Sequence, residues 1–169
     1  MLAQRAEEAI TIVDETLPTA ERLGLVHETL ELLVTRGPLL ANMGRLVEGI
    51  AVLVGVTSRS ESEGRIETEL RARVNLSYAA AADDPRLAYR TARKGLELAR
   101  HLGMRGHGFY LLGNASDSAI RLGDWDWALG EVEEALAALP TDIAARIRRA
   151  QIRGLRGEDV DEDLGLVDE

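Results

Sequence analysis

The sequence predicts an all-α fold, a right-handed α-solenoid of stacked antiparallel helical hairpins, and three observations carry that expectation. First, 46% of the 169 residues are hydrophobic but only 4% are aromatic, and Ala, Leu, Glu and Arg, which hold helices well, outnumber Val and Ile. Second, apolar residues recur at helical spacing along nearly the whole chain, interrupted by short polar breaks instead of long linkers. Third, small residues repeat at a fixed step: Ala9, Gly49, Ala88 and Ala128 stand 40, 39 and 40 residues apart. A fixed period of this size is the mark of a stacked repeat.

The helices follow in order. Amphipathic stretches predict helices near 3–16, 24–43 and 45–57. Ser60 and Glu63 have capping-box spacing, and Ile66, Leu70, Val74 and Tyr78 follow at every fourth residue as an apolar stripe running to about Ala82. Glu67 with Arg71 and Glu69 with Arg73 are expected i,i+4 ion pairs on that helix. Asp84 followed by Pro85 is a helix start, and its stripe of Leu87, Ala88, Ala92, Leu96 and Ala99 runs to Leu102. Further helices are expected at 106–122, at 124–139 between Asp124 and Pro140, and at 142–154. The breaks are expected to alternate, tight at Gly44, Asp83–Asp84 and Gly123, looser at Leu17–Ala20, Thr57–Ser60 and Leu102–Arg105. The chain is therefore divided into a repeat domain over 1–157 and an end segment. Within the domain, helix 3–16 is the second helix of a hairpin, hairpins span 24–57, 61–102 and 106–139, and 142–157 is a partial hairpin. Residues 158–169, with seven acids and no base, are an acidic tail or a frayed last helix.

Seven residues beyond Gly49, Ala88 and Ala128 lie Val56, Gly95 and Ala135, and Pro140 lies twelve beyond Ala128. Asn75-Leu76-Ser77 returns 39 residues later as Asn114-Ala115-Ser116. This pattern resembles the tetratricopeptide repeat, in which small residues seven apart let the second helix approach its neighbours and a proline ends the unit. The units here are longer than the family's roughly 34 residues, and the Trp expected early in the first helix is missing, Trp125 and Trp127 lying in a second helix. Longer units of this kind are similar to sensor arrays of bacterial transcriptional regulators and signalling ATPases. The resemblance implies a non-enzymatic module that binds a protein or peptide partner within a larger cytoplasmic regulatory protein. The competing expectation is a homo-oligomerisation scaffold, with a homodimer formed through the exposed face of the N-terminal helix.

Composition excludes several other functions. A net charge of −9 opposes binding to a phosphate backbone, so nucleic acid is not an expected partner. The absence of cysteine leaves neither a disulfide framework nor a thiolate metal site. Nothing in the sequence reads as a signal peptide or an apolar membrane span, and a cytoplasmic location is expected. His27, His101 and His107 lack the spacing of a helical metal site. Gly103, Gly106 and Gly108 follow no strand and precede no Lys-Ser pair, so they predict a turn and not a phosphate cradle. No catalytic residue, metal or cofactor is expected.

The candidate sites are therefore surfaces. Asn is a poor residue inside a helix because its amide competes with the backbone, and Asn75 and Asn114 recur at equivalent first-helix positions. In tetratricopeptide arrays such positions line the concave groove, and the resemblance places Asn75 and Asn114, with Arg73, Tyr110, Asp117 and Arg121, on its floor. The opposing expectation is that each Asn bonds a neighbouring helix or a loop carbonyl. Arg86, Arg90 and Arg93, with Lys94 and Arg100, form a basic stripe that either receives an acidic partner or pairs with Glu131, Glu133 and Glu134. Trp127 lies off its helix's apolar stripe and is a candidate interface anchor, the alternative being that it packs against the following hairpin.

Overall fold

The structure is a computed structural model that describes residues 2–165, excluding the side chains of residues 2–4, 162 and 164. Met1 and the last four positions of the expected tail lie outside the described residues. Nine helices occupy the described chain: α1 (Leu2–Arg22), α2 (Val26–Asn42), α3 (Leu46–Ser62), α4 (Ile66–Ala80), α5 (Pro85–His101), α6 (Arg105–Leu122), α7 (Trp125–Ala138), α8 (Ile143–Leu155) and the one-turn α9 (Asp161–Leu164). Each helix packs on the next, and α4 also packs on both α2 and α6. The even-numbered helices thus form one layer and α1, α3, α5 and α7 the other. Helices that lie closer together take the inside of a curved array, which makes the even-numbered layer the inner one.

The turns are more uniform than the expected alternation of tight and loose breaks. Gly24, Gly44, Gly64, Gly103 and Gly123 all have positive φ, and the two intervals among the first three are 20 residues each. At each, the residue after the glycine donates its N–H to a carbonyl five residues back, as Arg45 does to Leu40 and Asp124 to Ala119. This is the Schellman closure, in which a left-handed residue turns the chain while satisfying the helix's last carbonyls. Gly44, at φ +81°, adopts a backbone conformation that a Cβ would strain.

Two expected breaks fall inside helices. α1 continues through Pro18 to Arg22, because buried Ala20 holds its last turns on the array while the proline removes only one backbone donor. α3 continues through Thr57 and Ser60 to Ser62; Thr57 bonds the Leu53 carbonyl. Ser60 is consequently a fully buried residue near the end of a helix, not the start of a capping box. The α4 stripe also needs correction. Four residues advance about 400° around a helix, so a strict i,i+4 series drifts by about 40° per step. Leu70 is fully buried, but Tyr78 is 73% exposed; the stripe leaves the core and emerges on the inner surface.

The core is a chain of small clusters, not one ball. Leu30, Val34, Leu53, Val56, Ala72 and Leu76 form the first, and Leu70, Ala92, Leu96, Leu111 and Ala115 the next. Missing Cβ atoms set the closest approaches. A Cβ on Gly49 would stand 2.5 Å from the Gly37 carbonyl oxygen, and one on Gly95 would stand 2.9 Å from the Leu111 side chain. Gly55, on the same helix as Gly49, faces open space. Ordinarily Gly to Ala within a helix stabilises by up to about 1 kcal/mol. Gly55→Ala should show that gain in urea denaturation, whereas Gly49→Ala should destabilise by about 1–3 kcal/mol because rigid backbone must move.

Candidate functional site: the inner face of α4, α6 and α8

Asn75 and Asn114 are half-buried between inner helices. The Asn75 amide nitrogen donates to the Val34 carbonyl of α2 at 3.1 Å. One unit later, the Asn114 amide nitrogen donates to the Val74 carbonyl of α4 at 3.1 Å and contacts the Ser77 hydroxyl at 2.9 Å. Each Asn therefore ties its helix to the preceding inner helix through a carbonyl already inside that helix. Charged and hydroxyl groups add to the same seam: Arg71 and Thr68 of α4 bond Glu31 of α2 at 2.6 and 2.7 Å.

Arg73 is not on the groove floor. Its side chain is 5% exposed and turns toward the outer layer, bonding Glu69 at 2.8 Å and Glu61 of α3 at 2.9 Å. The position two residues before Asn75 falls on another side of the helix, since two residues turn about 200°. Lys94 of α5 also reaches Glu61. Hydrogen bonding from Lys94, reinforced by the charge of Arg73, holds the Glu61 carboxyl below its usual range. Arg71 pairs with Glu31 instead of the expected Glu67, so that pair crosses helices.

Tyr110, Asn114, Asp117 and Arg121 fall on one side of α6 at i, i+4, i+7 and i+11. Tyr110 is 61% exposed and meets Phe109 edge to face at 5.5 Å between ring centres. Asp117 and Arg121 are also exposed. Between α6 and α8 lies a cleft of about 280 Å³, lined by Asp117, Ala144, Ile147, Arg148 and Gln151. Arg148 sits over Gly113, whose absent Cβ leaves room for the guanidinium, and approaches Asp117 at 3.5 Å. Tyr78 reads from the sequence as part of the Ile66–Tyr78 apolar stripe, and nothing in the sequence pattern singles out Ile147.

The outer face differs. Trp127 meets Tyr89 edge to face at 5.1 Å, and the Arg93 guanidinium lies 5.0 Å from the Trp127 ring centre and 5.3 Å from that of Tyr89. The three form a cation–π seam between α5 and α7, so Trp127 is half-buried and engaged. Asp124 makes no side-chain cap bond to its helix; its carboxylate accepts the Tyr89 hydroxyl at 2.6 Å. Burial, aided by that bond, pushes the Tyr89 hydroxyl up to about 12. Arg100 pairs with Glu131 and Glu134 across α5 and α7. Arg86 and Arg90 are exposed and have no ion-pair partner among the described residues.

Two further features bear on function. Among the described residues there is no group of three or more His, Cys, Asp or Glu side chains able to hold a metal ion. No described helix is long and apolar enough to cross a membrane.

The fold defines a tetratricopeptide-like array of helical hairpins. No family model matches the sequence, and no curated protein matches it. Among solved structures, the chain is similar to a Signal Transduction ATPase with Numerous Domains protein with a tetratricopeptide repeat sensor, from Pyrococcus horikoshii. The two superpose with a TM-score of 0.81 at 17% identity, covering 96% of this chain. This chain spans 26% of that protein's length. The likeness is one of fold.

Two measurements check the bonding described. Asn75→Ala and Asn114→Ala should each cost about 1 kcal/mol in denaturant unfolding, with helical content retained. An ultraviolet titration should find one tyrosine ionising near pH 12, lost in Tyr89→Phe. A raised folded pKa gives stability that is intact below pH 10, the ordinary value, and lost as pH rises through the folded value. The unfolding free energy should therefore fall across that window, less steeply in Tyr89→Phe.

Proposed function

We propose that this chain is a protein- or peptide-binding module, the regulatory or sensor part of a larger signalling or transcription-regulating protein. The observation that carries the reading is the division of labour among its polar and aromatic side chains. On the outer face the aromatic rings and most α5 cations are engaged within the array. On the inner face Tyr78, Tyr110, Asp117 and Arg121 are left exposed on successive helices. Tyrosine suits this role, since it combines a large apolar contact with a hydrogen-bonding tip and loses little rotamer freedom on binding.

An extended peptide laid across α4, α6 and α8 would stack on Tyr78 and Tyr110. It would meet Asp117 and Arg121 as alternative charges, and the cleft beside Ile147 would take a small apolar side chain. Asn75 and Asn114 belong to the groove chiefly as its frame, since their amide nitrogens are donated to the preceding helix. The fold likeness supports the regulatory setting, because the Pyrococcus protein carries a repeat sensor beside an ATPase. A cytoplasmic location fits the same setting, and catalysis forms no part of the reading. A homo-oligomerisation scaffold is the competing reading, and would give concentration-dependent mass without any peptide.

The test is selection of peptides from a displayed random library against the intact chain, followed by affinity measurement on variants. Tyr110→Ala and Asp117→Ala should each weaken the selected peptides by about tenfold, or about 1.4 kcal/mol. Arg90→Ala on the outer face should have no effect. If binding is indifferent to Tyr110 and Asp117 but sensitive to Arg90, the inner-face reading is wrong.

A further inference from the structure

Positions that share one register on α1, α3 and α5 face outward from the array, and their chemistry changes from helix to helix. On α3 they are Val47, Ala51 and Val54, all exposed, Val47 by 83% and Val54 by 44%. Forty residues earlier, on α1, stand Glu7, Thr11 and Asp14, with Glu15 beside them. Thirty-nine residues later, on α5, stand Arg86, Arg90 and Arg93, with Lys94 beside them. The outward face of α3 is thus apolar over its first two turns, and it lies between an acidic helix and a basic one.

Some of the flanking charges are engaged within the array. Asp14 receives Arg36 at 2.8 Å, Arg93 lies over Tyr89 and Trp127, and Lys94 reaches Glu61 of α3. Four are not engaged in this way. Glu7 and Glu15 on one side, and Arg86 and Arg90 on the other, are exposed and have no ion-pair partner among the described residues. The contrast ends at α5, because Asp126, Glu133 and Glu134 of α7 pair with Arg156, Arg153 and Arg100. Single exposed valines are ordinary, but an apolar strip between unpaired charges of opposite sign is a pattern that another surface can match.

We propose that two copies of this chain associate face to face through α3, with the two-fold axis running along that helix. A second copy is indicated because the surface is complementary to itself in that arrangement. Rotation about an axis parallel to α3 lays α3 on α3 and exchanges the flanks, so the acidic α1 of each copy meets the basic α5 of the other. Rotation about an axis that crosses the helices lays α1 on α1 and α5 on α5, and like charges repel. With the two α3 helices parallel, Glu7 stands level with the partner's Arg86, and Glu15 stands one turn beyond the partner's Arg90.

The outer layer of a curved array is convex, so the copies touch first along α3, and the long Glu and Arg side chains bridge the gap at the flanks. A contact of this shape is small, and the association is correspondingly weak. Tyr78, Tyr110 and the α6–α8 cleft lie on the opposite layer and stay uncovered. The dimer therefore does not rest on the peptide reading above, and a dimer that still binds peptide separates the two from a scaffold alone.

Sedimentation equilibrium of the intact chain over a concentration series reads the association, with circular dichroism confirming that each variant folds. A monomer–dimer equilibrium is expected. Val47→Asp should weaken it at least tenfold, and the exposure of Val47 leaves the fold undisturbed. Glu7→Arg with Glu15→Arg should be monomeric, and so should Arg86→Glu with Arg90→Glu. Mixed together, these two charge variants should form a dimer, because each supplies the sign that the other lacks.

A chain that stays monomeric at every concentration overturns the proposal, as does a dimer indifferent to Val47→Asp. Charge variants that remain monomeric when mixed would reject the exchange of flanks on which it stands. A dimer that Ile12→Asp dissociates and Val47→Asp spares would place the contact on α1 and overturn the assignment to α3.

Discussion

The bond from an asparagine amide to a backbone carbonyl of the preceding inner helix sets the step of this array. Asn75 reaches Val34 and Asn114 reaches Val74, so the same residue type joins the same positions one unit apart. Such a bond contributes only about 1 kcal/mol net, but it is directional, and apolar packing is not. It fixes how far each hairpin slides along the one before. The glycines then fix how close the helices come: Gly37 and Gly49 on α2 and α3, Gly95 between α5 and α6. With sliding and separation set, the small clusters of Leu, Val and Ala fall into register along the chain.

Much of this architecture was legible because a repeated unit writes its period into the sequence. Ala9, Gly49, Ala88 and Ala128 gave the step, and Asp84-Pro85 gave a helix start that the structure contains, with Asp84 accepting from the Leu87 N–H at 2.9 Å. What misled the reading was local chemistry outvoted by packing. Pro18 and the polar run from Thr57 to Ser60 look like breaks, yet buried contacts carry both helices past them. The stronger signal was glycine at 24, 44 and 64, returning at 103 and 123, which marks the turns directly. An i,i+4 series such as Ile66 to Tyr78 reads as a core stripe only if the drift around the helix is ignored.

The candidate surface was less legible, for a physical reason. A residue's side of a helix follows from its position, but its partner depends on which helix lies opposite. Arg73 and Asn75 are two residues apart, yet one is sealed against Glu69 and the other spans two inner helices. Trp127 lies off the apolar stripe of its own helix because its neighbour is Tyr89 on another. Tyr110, Asp117 and Arg121, by contrast, share one exposed side of α6, as their spacing on one helix requires.

If each hairpin is held chiefly by its neighbours, stability is distributed along one dimension. Amide hydrogen exchange of the intact chain, followed helix by helix under native conditions, tests this most directly. The account predicts greatest protection in α4, α5 and α6, which lie in the middle of the described array, with protection falling stepwise toward α1 and α8. Uniform protection across all helices, or slowest exchange at either end, would contradict it.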